Sequence, residues 1–269
     1  MLAPNWLHIQ HRIGPIRRRE RDNRQYHRLF RFPGYVTGLR RMYVLATAKR
    51  ISAIDTDLDQ VLQQHRSGLV VFKNLIDLNE ETHFPEIAGH GLEIRRELLA
   101  ITKPKYLPNH DGEAHIALHV RMGDFRVPPS LDVLRQGAKN SRIPLEWYCN
   151  ILGGLRQRLG PVSAKLYSDG SDESLAPLLQ MSDVVRPPKQ PSVTDLLSIA
   201  QARLLISSGS GFSIWGAFLA DAPRICFPGQ RFARVLRSPT GLDLEPECEH
   251  PEDLTAAFIA HAQAALARA

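Results

Sequence analysis

The stretch HIALHVRMGDF, residues 115–125, combines the pattern of a buried strand with a polar ending. Its apolar residues continue to Val120, and arginine, methionine, glycine and aspartate follow at residues 121–124. A charged arginine at the end of a buried strand must find an anion or reach solvent, and its planar guanidinium suits two phosphate oxygens at once. Arg121 is therefore a candidate anion-binding residue. The structural alternative is an ion pair with Asp124.

From this strand onwards, short apolar runs alternate with helical patterns. Strands are predicted over residues 114–120, 164–169, 183–187, 203–209 and 223–229. Helices are predicted over residues 144–160, 171–180, 194–202 and 211–221. Short apolar strands that alternate with helices are typical of a parallel sheet covered on both faces. The sequence therefore predicts an α/β fold with a Rossmann-like lobe over residues 113–250, followed by a bracing helix over residues 251–269.

Three of the predicted strands end in polar or small residues. In open parallel sheets, ligands bind beyond the carboxyl ends of the strands, where helix N-termini favour anions. His119 shares a strand face with Arg121, so it lines the site or is a hydrogen-bonded core histidine. The run ISSGSGFS, residues 206–213, predicts either a diphosphate-binding turn or an ordinary strand-to-helix turn. The candidates at these ends are His119, Arg121, Ser168, Asp169, Ser208, Ser210, Gly211, Phe212 and Ser213.

Asp195 lies at the predicted start of the helix in SVTDLLSIAQA. Either Thr194 or Asp195 is expected to cap this helix, at a stabilisation of about 1 kcal/mol. The functional alternative for Asp195 is recognition of a guanine edge, whose N1–H and amino group can share one carboxylate.

The first 112 residues are predicted to form a separate, shorter lobe. A helix is predicted over residues 34–52, a strand over 68–76 and a helix over 84–101. Residues 1–50 carry 12 lysines and arginines against two acidic residues, whereas the rest of the chain carries 22 against 26. The basic segment over residues 12–31 is interpreted as a solvated, partly ordered leader, and the alternative is an arm that binds nucleic acid or an acidic surface. Without an apolar run long enough for a membrane span, and with only three scattered cysteines, the chain is expected to be cytoplasmic.

Taken in order, the motifs resemble those of a known enzyme family. The strand ending in HxRxGD, then LYSDGSDE, then SVTDLLSIAQARLLISSGSGFSIWGAFLADAPRICFP resemble α-1,2- and α-1,6-fucosyltransferases and protein O-fucosyltransferases. In that group HxRRGD precedes FSDD and then DxxLMSxCxxxIxSNSSFSWWGAWL. The resemblance covers residues 114–228, and residues 212–217 carry its most specific part. Met122 stands where the family has a second arginine, Gly211 replaces a serine, and Ile214 replaces a tryptophan.

This resemblance implies a GT-B-like fold and an inverting, metal-independent transfer of fucose from GDP-fucose to a glycan or other hydroxyl acceptor. Arg121 would match the arginine that holds the β-phosphate, while His119 and Asp195 would match groups near guanine or ribose. Ser210, Gly211 and Phe212 would match the phosphate-binding turn. No cofactor, metal or membrane span is expected, and a nucleic-acid partner is not favoured.

The residues leave two points of chemistry open. Inverting transfer needs positive charge at the departing diphosphate, which Arg121 and the 207–212 turn would supply. Asp124 is predicted either to act as general base or to hold Arg121 in place, with the second role favoured. The alternatives to a fucosyltransferase are a transferase for another nucleotide sugar and a non-catalytic protein that binds nucleotides or nucleic acids.

Overall fold

The computed structural model describes residues 29–53, 63–65, 67–72, 87–109 and 115–267. Within these ranges the chain forms two parallel sheets, one of two strands and one of five, together with several helices. The predicted α/β class is therefore confirmed, and the larger sheet is compatible with a Rossmann-like fold. None of the described helices has the length and apolar character needed to cross a membrane.

The helices of the N-terminal part are shorter than predicted, because residues 34–37, 48–52 and 87–90 are not helical. It contains helix α1 (Gly38–Thr47), strands β1 (Arg50–Ala53) and β2 (Leu69–Phe72), and helix α2 (Gly91–Ile101). The prediction of a single helix to residue 52 was wrong, because the backbone becomes extended at Ala48 and β1 then pairs in parallel with β2. This pairing joins residues about 20 positions apart, which a local helical pattern does not detect. Residues 73–86, which include parts of the predicted strand and of the next helix, lie outside the described residues.

Three residues of the predicted basic leader are part of the fold. Leu29 is 2% exposed and packs with Val193 and Leu197. The Arg31 N–H donates to the carbonyl of Ile101 at 2.7 Å. Residues 29–31 are therefore an ordered part of the predicted leader, because the side chains of Leu29 and Phe30 cover an apolar helix face. Residues 12–28 lie outside the described ranges.

The second part of the chain follows the predicted alternation. Its strands are β3 (Ile116–Val120), β4 (Ala164–Ser168), β5 (Val184–Val185), β6 (Leu204–Ile206) and β7 (Arg224–Ile225). Its helices are α3 (Leu131–Arg135), α4 (Leu145–Leu159), α5 (Ala176–Leu179), α6 (Ser192–Ile199), α7 (Gly211–Ala220) and α8 (Ala256–Leu266). The sequence did not predict the short helix α3. A 3₁₀ turn at Pro251–Asp253 precedes α8, so the terminal helix begins later than predicted.

The five-stranded sheet has the order β5-β4-β3-β6-β7, with every neighbouring pair parallel. Strand β3 is central: the chain moves outward from it through β4 and β5, then returns to its other side with β6 and β7. The direction of winding therefore reverses between β3 and β6, and a crevice opens at the carboxyl ends of such strands. Arg121 follows β3 at this point, and residues 207–213, which we call the serine-rich turn, follow β6.

Both faces of the sheet are covered, as the apolar strands predicted. Ile116, Leu118 and Val120 of β3 belong to one core cluster with apolar side chains of α4 and α8. Ala117 belongs to a second cluster with side chains of α7. Successive residues of β3 thus pack on opposite sides, and His119 shares the side of Ala117. Helix α8 contributes Phe258, Ile259 and Ala262 to the first cluster.

Candidate functional site

A cavity of about 910 Å³ lies at the carboxyl ends of β3 and β4. Its polar part is lined by His119, Arg121, Ser168, Asp169, Arg186 and Asp195. Its apolar part is lined by Leu29, Phe30, Leu98, Val193 and Leu196. The volume is within the range of pockets that hold small ligands, and a strand-end crevice is where an α/β sheet binds them. The structure therefore brings together at one cavity six of the residues that the sequence predicted, since Phe212 also lines it.

Arg121 is held at the cavity by two carboxylates. Its Nη1 lies 2.8 Å from Oδ2 of Asp169, and its Nη2 donates to Oδ1 of Asp124. The guanidinium carbon also lies 5.1 Å from the centre of the Phe125 ring. The side chain of Arg121 stays 25% exposed, so it remains accessible from the cavity. The predicted ion pair with Asp124 is present, and Asp169 is a second partner that the sequence did not predict.

Asp169 connects the ends of two neighbouring strands. Its Oδ1 accepts a hydrogen bond from the backbone N–H of Met122 at 2.8 Å, while its Oδ2 pairs with Arg121. A Cβ added to Gly123 would stand 2.7 Å from Oδ2 of Asp169, which is closer than van der Waals contact. Gly123 therefore lets the chain after β3 approach this carboxylate. This contact explains why a glycine follows the strand so closely.

His119 lines the cavity but is almost fully buried and hydrogen-bonded. Its Nδ1 lies 2.6 Å from Oγ of Ser213 and 2.9 Å from Oγ of Ser208. Its ring stacks on Phe212 with centroids 5.1 Å apart. Burial, and secondarily the charge of Arg121, lower the pKa of His119 to about 3, against an opposing effect of Asp169. His119 is therefore neutral at physiological pH and adds no positive charge for an anion.

The hydroxyls of the serine-rich turn are directed inward. Ser210 caps helix α7 by accepting a hydrogen bond from the N–H of Ser213 at 3.3 Å, and the hydroxyls of Ser208 and Ser213 lie 2.9 Å apart. All three side chains are buried, and Phe212 is the residue of this turn that lines the cavity. Gly211 is exposed at the first turn of α7. The turn thus fixes His119 and the start of α7, and direct contact between these hydroxyls and a ligand stays a prediction.

Asp195 lies in the first turn of α6 and lines the cavity. The expectation that Thr194 or Asp195 caps this helix was wrong, since α6 begins at Ser192 after Pro191. The Thr194 hydroxyl instead donates to the carbonyl of Tyr106 at 2.8 Å. Pro191 is the N-cap, and its carbonyl accepts hydrogen bonds from the N–H groups of Thr194 at 2.9 Å and Asp195 at 3.1 Å, so the helix begins before the polar pair.

Arg186 is a cavity residue that the sequence reasoning missed. It follows β5 directly, and its Nη2 donates to the carbonyls of Ser168 at 3.0 Å and Gly170 at 2.7 Å. The available signal was the same as for Arg121, namely an arginine immediately after an apolar strand. Lys189 also lines the cavity. Among the described residues, no three His, Cys, Asp or Glu side chains are grouped as ligands of a metal ion would be.

Comparison of the chain with protein-family models, with curated proteins and with solved structures found no match. The interpretation of the site therefore depends on its geometry and on the motifs at the strand ends.

Proposed function

We propose that this protein is a glycosyltransferase that transfers fucose from GDP-fucose, with inversion and without a metal ion, to a hydroxyl of a glycan acceptor. The observation that carries the proposal is the meeting of Arg121, His119 and the start of α7 around one cavity, at the point where the winding of the sheet reverses. The diphosphate of a nucleoside diphosphate bound there would face an arginine and a helix N-terminus, both of which favour anions. The choice of GDP-fucose derives from the motif resemblance.

In the proposed reaction, an acceptor oxygen attacks C1 of fucose on the face opposite the diphosphate. The bond from C1 to the β-phosphate oxygen breaks, the acceptor hydroxyl loses its proton to a base, and GDP leaves with the bonding electrons. Arg121 would stabilise the charge that develops on the departing diphosphate. Asp124 is bonded to Arg121, which supports the holding role over that of general base.

The proposed architecture is GT-B-like, with the Rossmann-like lobe binding the donor and the shorter N-terminal lobe contributing to the acceptor side. Two features support an N-terminal contribution. A separate parallel pair, β1 and β2, precedes the larger sheet. Leu29, Phe30 and Leu98 from this part of the chain line the apolar part of the cavity.

A second candidate function is nucleotide binding without transfer. One observation favours it: Arg121 is already paired with two carboxylates, Asp124 and Asp169, so an incoming diphosphate must compete with them. Met122 stands at the position where the related family has a second arginine, which leaves fewer cations beside the ligand. Under this reading GDP binds but the glycosidic bond of GDP-fucose stays intact.

Thermal unfolding with GDP, ADP and UDP, each with and without EDTA, tests the proposal. GDP at 100 times its dissociation constant should add about 2.7 kcal/mol of stability, and EDTA should not change this shift. Equal shifts with all three nucleotides, or no shift, would refute guanine recognition. Release of labelled fucose from GDP-fucose, with and without glycan acceptors, then separates transfer from binding alone.

A further inference from the structure

Arg186 lines the cavity beside the proposed anion site, and its guanidinium contacts the turn that follows β4. It donates to the carbonyls of Ser168 and Gly170, at 3.0 and 2.7 Å, and it pairs with Asp172. These contacts hold the turn that follows β4, which we call the β4 turn and define as residues 168–172. One guanidinium thus binds the turn at three points, using the several directed donors that an arginine presents.

Asp169 lies between Ser168 and Gly170, and its carboxylate contacts the residues that follow the neighbouring strand β3. Its two oxygens bind Nη1 of Arg121 and the backbone N–H of Met122, each at 2.8 Å. The two strand ends are also in tight contact, since a Cβ added to Gly170 would stand 2.9 Å from Cγ of Met122. A displacement of the β4 turn would therefore move the carboxylate that orients Arg121.

We infer that Arg186 is a positioning residue for Arg121, acting through the β4 turn and the carboxylate of Asp169. Arg121 is a long side chain with a quarter of its surface exposed, and its proposed role needs a fixed guanidinium. A site group keeps its geometry only when its supporting contacts are themselves held in place, and a group fixed in advance binds without a further loss of freedom. The identity of the ligand rests on the proposed function, whereas the chain of contacts from Arg186 to Arg121 does not.

Arg156 provides a matched control at the amino-terminal ends of β4 and β5. It donates to the carbonyls of Val162 at 2.9 Å and Asp183 at 3.2 Å, the residues that precede β4 and β5. Replacing Arg156 by alanine removes the same kind of arginine-to-carbonyl contact without touching the cavity. A difference between the two variants therefore reports position in the site rather than the loss of an arginine.

The first test uses no ligand. Amide hydrogen exchange of Met122, measured by NMR, should become about tenfold faster in Arg186→Ala, because its acceptor on Asp169 loses its support. Exchange at Met122 should stay unchanged in Arg156→Ala. Arg186→Lys, which keeps the charge but cannot reach two carbonyls and a carboxylate in the same plane, should also accelerate exchange, and it serves if the alanine variant does not fold. Unchanged exchange in both Arg186 variants would overturn the inference.

The second test is a double-mutant cycle on GDP binding, measured by calorimetry. Arg186→Ala should weaken GDP binding about tenfold. It should cause no further loss in the Arg121→Ala background, because Arg186 affects GDP only through the position of Arg121. Independent losses that multiply would mean that Arg186 acts on the ligand separately, and would overturn the positioning role. If the wild-type protein binds no GDP, the proposed function fails, while the exchange experiment still decides the inference.

Discussion

Removing the guanidinium of Arg121 separates a ligand-binding role from a purely structural one. In Arg121→Ala, Asp124 loses its ion pair with the guanidinium, while Asp169 keeps its hydrogen bond from the N–H of Met122. Both carboxylates remain partly exposed, at 48% and 26%, so water can solvate them in the variant. Partly exposed ion pairs of this kind contribute roughly 0.2–1 kcal/mol each. The expected loss of stability is therefore about 1 kcal/mol, which lowers the melting temperature by roughly 2–4 °C.

The effect on ligand binding and transfer should be much larger than the effect on folding. If Arg121 binds the diphosphate, its interaction strengthens as the leaving group gains charge, so the barrier should rise by about 2–4 kcal/mol, which slows the reaction roughly 30-fold to 1,000-fold. Arg121→Lys should not restore function, because an ammonium keeps the charge but loses the paired planar contacts. The measurements are melting temperature, GDP affinity by calorimetry and fucose transfer.

Asp124→Asn is the companion variant, because it weakens the ion pair while leaving the arginine in place. Because Asp169 still pairs with Arg121 in this variant, GDP binding should be retained. Fucose transfer should also be retained if Asp124 only helps to hold Arg121, whereas a general-base role predicts loss of transfer with normal GDP binding. An Arg121→Ala protein that melts at a lower temperature yet binds GDP normally would exclude the arginine from the ligand site. The main support for the transferase proposal would then be lost.

Three further changes have defined outcomes. Gly123→Ala should weaken GDP binding, since its Cβ would stand 2.7 Å from Oδ2 of Asp169 and displace the carboxylate that pairs with Arg121. Gly153→Ala, which has open space in helix α4, should bind GDP normally and be stabilised by up to about 1 kcal/mol; calorimetry measures the binding and denaturant unfolding the stability. Burial lowers the pKa of His119 to about 3, so the unfolded chain takes up this proton first and the free energy of unfolding should fall as the pH drops from about 6.5 towards 3. A His119→Asn protein should lack this component in unfolding curves over that range, and identical pH profiles would contradict the assignment. Leu29→Ala should lower the free energy of unfolding by about 2–3 kcal/mol. Leu39 is 83% exposed, so Leu39→Ala should change it by no more than about 0.5 kcal/mol, and equal effects in denaturant unfolding would place Leu29 outside the core.

The alternation of strands and helices after residue 113 could be predicted because each element carries its own pattern. Strand β3 is apolar at consecutive positions, which is expected only when both faces of a sheet are covered. Helix α4 repeats its apolar residues at helical spacing, and its buried face includes Tyr148, Ile151 and Leu152. Each of these patterns lies within 5 to 15 neighbouring residues, so it can be recognised without knowing the rest of the fold.

The N-terminal part was harder to predict, because its elements depend on distant partners. Strand β1 exists through its pairing with β2, and residues 50–53 resemble the end of the preceding helix when they are taken alone. Leu29 follows a run of charged residues, and its burial arises from contact with Val193 and Leu197, more than 160 positions away. A local window contains neither partner.

The features of the candidate site also fall into two groups, those that the sequence predicted and those that only the tertiary structure revealed. The sequence by itself placed Arg121, His119 and the serine-rich turn at strand ends, because strand polarity and the periodicity of side chains are local properties. Only the tertiary structure decided that Asp169 binds Arg121 and Met122, and that Arg186 supports the β4 turn. It also turned the hydroxyls of Ser208 and Ser213 towards His119 rather than towards the cavity. These outcomes depend on strand order and on distances of a few ångströms between segments far apart in the chain, and no local pattern encodes such distances.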